Sequence, residues 1–573
     1  MNLFSKYISC IGVFLIGTLA FAQTKKPQND TLSTESVTVI KTFNPTINDA
    51  FKIHPTPNFD EDSSTEKAPL NFKINSVPVA STFVPQKSKS VGVKRERRPE
   101  MFNNYVSLGA GNLGSALAEA FTSIDINRDS QFTALLQHHS SQGGIKDVRL
   151  DDHFYDTGLQ LTYGKQQKNA YWLLDFEAQH GQYNWYGISE DLPITEAQLV
   201  SVDPTHNFID VNLGGEFNID NKFFNSVTTR FRHFRDDYDS AENNFNLKPK
   251  FTIPLEDTSI LFPVELDFVG GKFAESQAFS EINYSILNLG VSPSVALTFN
   301  DIDVKLGFSG YVSSNFEASK TKFYAYPNVT AFYNFLDYGV SVFGGITGGL
   351  QQNTYHNAAA ENPFVAPQLG ITPTSKTFDA ELGVRGQWNG KVGYQLKGSF
   401  ASEKDKALWL KNPVFISDEI INFGFNNSFG YVYDDVTTAK AEGELSYEEE
   451  GIFGVKLQAS FASFGTDDQQ EAWNLSSLQT NLKANYFISP QLNISGNVFY
   501  VGQRKGFDHL NSAIKNLDSY VDLNLRADYQ ITKNWSAFVM GNNLTAQNYE
   551  RWQDFPVQGI QLLVGAKYKF KLR

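Results

Sequence analysis

Two adjacent histidines followed by two serines, His138-His139-Ser140-Ser141, are the densest group of side chains that could bind a metal or act in catalysis. In a strand, neighbouring side chains point to opposite faces, so the two histidines cannot easily share one ion. A serine hydrolase would also need a serine, a histidine and an orienting polar group in one place, which adjacency in the chain does not supply. We therefore expect no catalytic residue, no metal site and no cofactor, and we predict that the protein is not an enzyme.

A second short segment has the composition of a partner-binding strand. Residues 23–100 are rich in Pro, Lys, Asn, Asp, Ser and Thr and show no long hydrophobic period, which predicts an irregular N-terminal arm. Inside this arm, one tract alternates β-branched and polar residues: Glu35, Ser36, Val37, Thr38 and Val39. A strand-forming tract in a flexible setting can pair with an exposed sheet edge of another protein.

Charged residues of both signs recur at alternate positions in the rest of the chain. They are Arg230, Arg232, Arg385, Lys440, Arg526 and Lys567, with Asp175, Glu216, Glu381, Glu442, Glu444 and Asp522. This mixture fits simple pairs between neighbouring strands that line a polar interior, and it also fits a surface that binds a solute. Four aromatic residues near predicted loops would suit sugar stacking or a lipid interface if they are exposed: Trp185, Tyr186, Trp409 and Trp473.

The segment VQGIQLLVGAKYKFKLR, residues 557–573, indicates which element positions such side chains. One parity is apolar: Ile560, Leu562, Val564, Ala566, Tyr568, Phe570 and Leu572. The other carries Gln561, Gly565, Lys567, Lys569 and Lys571. This alternation predicts a long strand with one apolar and one polar face. Its length and aromatic end favour the closing strand of an outer-membrane barrel over a strand of a soluble sandwich.

The same alternation recurs upstream from about residue 101, for example in residues 478–486 and 521–529. Longer irregular stretches lie at 186–206, 353–376, 404–427 and 503–518. Short polar turns fall near residues 127–130, 165–168, 219–222, 254–257, 300–303, 335–338, 388–391, 448–451, 489–491 and 532–534. Ten hairpins with one strand added at each end predict about 22 strands. The expected fold is all-β, a large antiparallel transmembrane β-barrel over residues 101–573.

Composition and the N-terminus agree with this expectation. The chain has 573 residues, 14% of them aromatic, and a mean hydropathy of -0.32, which is too polar for a helical membrane protein. The formal net charge of -14 argues against a nucleic-acid partner. One Lys, an apolar run over residues 8–21 and small residues at Ala20 and Ala22 predict a cleaved signal peptide over residues 1–22. The single cysteine, Cys10, lies within it, so we expect an exported mature chain without thiols.

The end of the chain resembles a known family. From Val521 a strand, an Ile-Thr turn, a strand ending in Asn-Asn-Leu-Thr, a loop and a final Gly-x-x-Tyr-x-Phe strand follow in order. This resembles the C-terminal end of TonB-dependent receptor barrels over about 50 residues. The tract Glu35–Val39 is similar to the TonB box that such receptors offer to an energy-coupling protein. The family also carries a folded plug domain longer than the 78 residues between 23 and 100, so we expect no standard plug here.

Two functional hypotheses follow. The resemblance implies solute or nutrient uptake across the outer membrane of a Gram-negative cell, with outer-membrane lipid and an energy-coupling periplasmic protein as partners. The alternative is a plug-less structural or assembly partner in an outer-membrane complex, which would dock periplasmic proteins through the arm. The residues alone do not indicate which solute would pass.

The first prediction concerns insertion into the membrane. Tyr568 and Phe570 lie on the apolar parity of the last strand, and the resemblance implies that they help the insertion machinery to recognise the chain. Replacing both with Asp should abolish outer-membrane insertion, as measured by surface levels of the protein. Normal surface levels of the double variant would contradict this role.

Overall fold

The computed structural model describes residues 102–572, apart from 275–279, 336–338 and 416–420. Most of the described chain lies in one antiparallel β-sheet of 23 strands. The first strands are β1 (Asn104–Gly111), β2 (Ala116–Asn127), β3 (Ser130–Ser141), β4 (Phe154–Gln166), β5 (Ala170–Asn184), β6 (Thr205–Ile219), β7 (Phe224–Asp236), β8 (Ala241–Pro254), β9 (Ser259–Phe273), β10 (Ile282–Val291), β11 (Ser294–Phe299) and β12 (Ile302–Asn315).

The remaining strands include two short hairpins outside this sheet, β21–β22 and β25–β26. They are β13 (Lys320–Phe335), β14 (Val340–Gln351), β15 (Thr374–Trp388), β16 (Val392–Lys411), β17 (Phe429–Glu449), β18 (Phe453–Thr466), β19 (Leu478–Ser489), β20 (Leu492–Val501), β21 (Arg504–Asp508), β22 (Ala513–Leu517), β23 (Tyr520–Gln530), β24 (Trp535–Asn542), β25 (Glu550–Trp552), β26 (Phe555–Pro556) and β27 (Gln561–Phe570). The described helices are short, α1 (Glu196–Ser201) and α2 (Tyr355–Glu361). Neither is long and apolar enough to span a membrane.

The sheet closes on itself. Each strand pairs with the next, and β1 also pairs with β27, from Asn104 opposite Phe570 to Gly111 opposite Leu563. β10 and β11 both pair with β9 and β12, so together they form one barrel strand that is interrupted at Pro293, a residue with no N–H to donate. The 23 strands therefore make 22 barrel strands, and the predicted strand number is confirmed.

The two faces of the sheet confirm the expected fold class. The outer face exposes large apolar side chains, such as Leu108 at 59%, Leu382 at 67% and Val564 at 61%. The inner face buries polar ones, such as Asn212 and Lys567. A water-soluble protein would show the reverse, whereas a membrane barrel places its apolar face in lipid.

The connections are short at one end of the barrel, the turn end, and mostly long at the other, the loop end. The ten predicted short turns all fall between strands that pair with each other, although residues 336–338 of one turn lie outside the described part. One predicted loop boundary is wrong, because residues 404–411 belong to β16. Charges at four successive positions, 403–406, coincide with a shift of register and hide the alternation there. Long connections at 142–153 and 467–477 are not predicted by the sequence, whereas the expected loop before the last strand spans residues 543–560.

The last strand has the predicted parity. Tyr568 is 38% exposed on the outer face, with its ring 4.7 Å from that of Trp535, while Lys567 is buried on the inner face. Lys569 shares the parity of Lys567, so Lys569→Asp is the matched control for the Tyr568 and Phe570 substitutions. The role of these two aromatic residues in insertion stays a prediction.

The junction between the first and last strands is packed around two glycines. Gly109 lies opposite Gly565, and the ring of Phe538 covers both of them on the inner face. A Cβ atom on Gly565 would lie 2.2 Å from Cζ of Phe538 and 2.4 Å from the carbonyl oxygen of Leu108. The guanidinium of Arg526 stacks on the same ring, 4.2 Å from its centroid. Because the Phe538 ring and the Leu108 carbonyl group occupy the space beside Gly565, a side chain at position 565 cannot be accommodated without displacing the junction.

The second prediction is that Gly565→Val destabilises the barrel. We expect its free energy of unfolding to fall by about 1–3 kcal/mol, the usual cost of overpacking. The matched control is Gly398→Val, because no heavy atom outside its chain neighbours lies within 4 Å of a Cβ there. Urea unfolding of the protein refolded into vesicles measures both variants. Equal unfolding midpoints for the two would contradict the packing argument.

Candidate functional site

The long connections of the loop end pack together into a cap over the mouth of the barrel. We define the cap as the described residues of connections 142–153, 185–204, 352–373, 412–428, 502–519 and 543–560. Its main apolar core joins Phe208 and Phe273 of one wall to Trp409 and Phe429 of another through Phe555 and other cap residues. Contributions from β6–β10 and from β16–β17 thus meet in one core, and the described loops pack across the mouth.

Aromatic rings dominate the contacts inside the cap. Phe364 and Phe555 stack with centroids 4.0 Å apart, and Tyr186 packs on Phe555 at 5.0 Å. The Tyr186 hydroxyl donates to the carbonyl oxygen of Pro556 at 2.9 Å. Gly187 lies directly under the Phe555 ring, where a Cβ atom would come within 2.2 Å of it. Connections that are far apart in sequence are therefore held by close ring packing.

The expectation of exposed aromatic residues is wrong. Trp185, Tyr186, Trp409 and Trp473 are all buried, at 0%, 8%, 5% and 3% exposure. Trp185, for instance, lies within 4.3 Å of the His206 ring and 5.6 Å of the Phe423 ring. Trp185 and Tyr186 lie in the cap, Trp409 packs against the cap from β16, and Trp473 packs with Leu408 and Val436. They do not offer stacking faces to a solute.

One connection enters the barrel. Residues 352–373, which we call the inserted loop, join β14 to β15 and contain α2. Thr354 caps this helix by accepting a hydrogen bond from Asn357 N at 3.1 Å. Tyr355 lies against inner-face rings of β7 and β9, with centroids 5.1 Å from Phe234 and 4.9 Å from Phe273. The helix is therefore seated on the inner wall of the barrel.

Three carboxylates of that wall contact α2, one from each of three neighbouring strands. Glu242 of β8 accepts the backbone N–H groups of Tyr355 at 2.7 Å and His356 at 3.1 Å. Asp236 of β7 accepts the Tyr355 hydroxyl at 2.7 Å. Asp210 of β6 lies 3.4 Å from Nε2 of His356. Alternation placed Asp210 on the inner face, but the sequence did not indicate that a helix would cover it.

A buried ion cluster ties three further cap segments together. Lys411, at the end of β16, is fully buried and pairs with Asp554 in the turn between β25 and β26. Lys515 of the β21–β22 hairpin pairs with the same carboxylate and lies 3.7 Å from Glu550. Burial by itself would raise the pKa of Asp554, but the two ammonium groups outweigh it and hold the pKa below its ordinary value. The stabilisation that this carboxylate provides is therefore complete at neutral pH and is lost only as the pH falls through that lowered pKa.

The predicted lumen charges mostly form pairs within the wall. Arg230 reaches Asp175 at 3.4 Å across Gly214, whose missing side chain leaves room for the carboxylate. Lys440 contacts Glu442 at 2.6 Å, and Lys397 contacts both Glu442 at 2.7 Å and Glu381 at 3.6 Å.

The remaining predicted charges pair with other charged residues, accept hydrogen bonds or contact aromatic rings. Lys456 pairs with Glu444 at 2.8 Å, and Arg526 with Asp528 at 2.7 Å. Glu216 accepts from Asn218 at 2.6 Å and Asp522 from the Tyr549 hydroxyl at 2.6 Å. The guanidinium of Arg385 stacks on Phe332, 5.0 Å from its centroid, and Lys567 lies 3.9 Å from the centre of the Tyr105 ring. The side chains of these ion pairs are 10–45% exposed. Pairs that stay in contact with water contribute about 1 kcal/mol or less, so they shape the wall more than they stabilise it.

The residues with catalytic potential are not brought together. Nδ1 of His138 lies 2.7 Å from Oγ1 of Thr157, while His139 packs against Phe154. Among residues 102–572, as far as they are described, no group of three or more His, Cys, Asp or Glu could hold a metal ion. The tract Glu35–Val39 lies outside the described residues, as do the expected signal peptide and the whole N-terminal arm. Those expectations stay predictions.

The fold is that of outer-membrane receptor barrels. The siderophore receptor PirA from Acinetobacter baumannii aligns with a TM-score of 0.59 at 13% identity, over 83% of this chain and 81% of that one. The FrpB iron transporter from Neisseria meningitidis aligns with a TM-score of 0.60 at 11% identity, over 82% of each chain. The copper transporter OprC aligns with a TM-score of 0.56 at 12% identity, over 83% of this chain and 84% of that one.

Sequence comparison adds no closer relationship, since no family model and no curated protein matches this chain. The expected resemblance to TonB-dependent receptors is confirmed at the level of fold: the chain forms a receptor-like outer-membrane β-barrel. The proteins it resembles in structure include transporters and receptors rather than enzymes, which agrees with the prediction of a non-enzyme.

The third prediction tests the ion cluster of the cap. Asp554→Asn leaves the buried Lys411 without its carboxylate, which should loosen the cap by on the order of 3 kcal/mol. Limited proteolysis of intact cells should then cut the loops of this variant faster than those of the wild type. Asp191→Asn is the matched control, because Asp191 is exposed in connection 185–204. Identical cleavage rates in the two variants would contradict a stabilising role of the cluster.

Proposed function

We propose that the protein is an outer-membrane uptake receptor that admits a solute by selective opening of its cap. The observation that carries this proposal is the combination of a receptor-like barrel of 22 strands with loops that pack together across its mouth. A general diffusion pore needs an open mouth, whereas a receptor must hold its lumen shut until a solute is bound. The charged inner wall supports passage of a polar solute, because paired side chains can exchange partners with it at little cost.

Energy for opening would come from the periplasm through the N-terminal arm. Both ends of the barrel sheet, at Asn104 and Phe570, lie at the turn end, which faces the periplasm in barrels of this kind. Since β1 begins at that end, the proposal has the tract Glu35–Val39 bind a periplasmic energy-coupling protein. Addition of that tract as a strand to a sheet of the partner is the expected mode of binding. A cleaved signal peptide over residues 1–22 would deliver the chain to this location.

A second candidate function is a structural or assembly role. The same packed loops support it, because a barrel that only anchors a complex does not need to conduct. In that case the arm would dock periplasmic proteins, and the cap would never open.

The fourth prediction separates the two functions. Replacing Val37 and Val39 with Pro removes strand pairing by the tract but leaves the rest of the arm intact. For an uptake receptor, the variant should lose solute-dependent growth while its surface level stays normal. The matched control places the two prolines at Ser88 and Ser90, which have the same spacing and lie in the same arm but outside the tract.

The readout is growth on single nutrients as sole source, together with pull-down of periplasmic proteins. Loss of growth together with loss of one periplasmic partner supports an uptake receptor. Unchanged growth on every nutrient, with loss of several partners from the pull-down, supports the assembly role instead.

A further inference from the structure

The inserted loop has the construction of a gate. We infer that residues 352–373 swing out of the barrel mouth as a unit, with a polar latch on β6–β8 and a hinge on β17. This inference rests on the proposed uptake function and assigns the opening step to particular residues. The contacts between α2 and the inner wall all lie in the described part of the chain.

The centre of the latch is the Glu242 carboxylate. Glu242 is 1% exposed, and three donors converge on it: the N–H groups of Tyr355 and His356 and the hydroxyl of Tyr284, the last at 2.8 Å. Two of the three donors belong to the inserted loop. The carboxylate therefore holds the first turn of α2 to the wall by hydrogen bonds to a charged acceptor, the strong class of hydrogen bond.

Two flanking contacts complete the latch. The Tyr355 hydroxyl donates to Oδ2 of Asp236, which also lies 3.4 Å from Nε2 of His206, and both wall side chains are fully buried. Next to them, Arg232 lies 2.9 Å from Nδ1 of His356 and 3.2 Å from Asp210, whose second oxygen lies 3.4 Å from Nε2 of His356. Asp210 is the sixth residue of β6, so the contact lies roughly 16 Å along that strand from the loop end. The contact of Asp210 therefore lies inside the barrel, whereas Asp236 is the last residue of β7 and Glu242 the second of β8, at the rim of the mouth.

The other side of the inserted loop is attached differently. Its backbone pairs with the start of β17: Ala366 N donates to the carbonyl oxygen of Phe429 at 2.9 Å, and Phe429 N donates to that of Phe364 at 3.0 Å. The Tyr433 hydroxyl adds a bond to the carbonyl oxygen of Gly370 at 2.8 Å. Backbone pairing to a barrel strand does not depend on side-chain charge. This attachment can persist while the latch is released, as a hinge requires.

The chemistry of the latch favours reversible opening. Carboxylates that leave a buried ion or hydrogen-bond network regain their hydration when water enters. Their release therefore costs less free energy than the exposure of an apolar surface of the same size. A purely structural plug would gain stability from apolar residues at positions 210, 236 and 242. Three acidic side chains on three neighbouring strands, each facing the same helix, instead give a contact that water can replace.

The fifth prediction uses cysteine accessibility, because the mature chain is expected to contain no thiol. Asn212→Cys places a reporter on the inner face of β6, two residues farther into the barrel than Asp210, at a position that is 0% exposed. A membrane-impermeant maleimide added to whole cells measures the access of solvent from outside.

The test variant is Glu242→Gln. It keeps the shape of the side chain but replaces one acceptor oxygen by an NH2 group, which faces the N–H groups of α2 and cannot accept a hydrogen bond from them. Labelling should be about tenfold faster or more in this background, as expected for loss of a charge-assisted hydrogen bond.

The matched control is Glu265→Gln, which alters a carboxylate of the same barrel that pairs with Lys248 at 2.8 Å. It should leave the labelling rate at the wild-type value. Tyr355→Phe removes only the hydroxyl bond to Asp236 and should give a smaller increase, which keeps the test valid if Glu242→Gln does not fold. Barrel integrity is checked by heat-dependent mobility on electrophoresis.

The outcomes separate the gate from the uptake function. Faster labelling in Glu242→Gln and Tyr355→Phe, with Glu265→Gln unchanged, supports the gate. Equal labelling in all folded variants overturns the gate and leaves the uptake function to the growth experiment on the tract at Val37 and Val39. Equal acceleration in Glu265→Gln also overturns it, because the effect would then come from any lost wall charge.

Discussion

Closure of the sheet by pairing of β1 with β27 is the constraint on which the rest of the structure depends. In lipid, a backbone N–H or C=O group without a partner costs several kcal/mol, so a sheet that spans a membrane cannot have an open edge. The eight residue pairs from Asn104–Phe570 to Gly111–Leu563 remove that edge. The tight pair Gly109–Gly565 belongs to the same junction, where the first and last barrel strands approach closely enough for both to contact the Phe538 ring.

Closure also determines where polar chemistry can lie. Once the apolar parity of every strand faces outward, the charged parity faces a common interior, and its members must find partners there. Most do so along the wall, as Lys397 does with Glu381 and Glu442. Asp210, Asp236 and Glu242 differ because each of them, besides contacting a wall residue, also contacts α2, an element that reaches from the strand pair β14–β15 to β6–β8. Two kinds of contact thus hold segments across the mouth, aromatic packing in the cap and hydrogen bonds from α2 to carboxylates of the wall.

The aromatic residues of the loops illustrate how the sequence can mislead. Trp185 and Trp409 follow or end strands in polar surroundings, which is typical of an exposed position near a membrane interface. Both are buried, because loops that are more than 150 residues apart in the chain fold onto one another over the mouth. No local pattern encodes that contact. Burial of Lys411 has the same origin, since its partner Asp554 lies 143 residues away.

Local patterns in the sequence are enough to predict the barrel, the parity of its strands, the ten short turns and a strand number of about 22. These features depend on a period of two residues and on turn composition, which each strand and each turn shows separately. Three features become visible only in the folded chain: the long connections pack across the mouth, β16 continues through residues 404–411, and α2 rests on three carboxylates. Those features depend on contacts between segments far apart in sequence, such as Glu242 and Tyr355, and alternation within a strand carries no information about which loop will cover it.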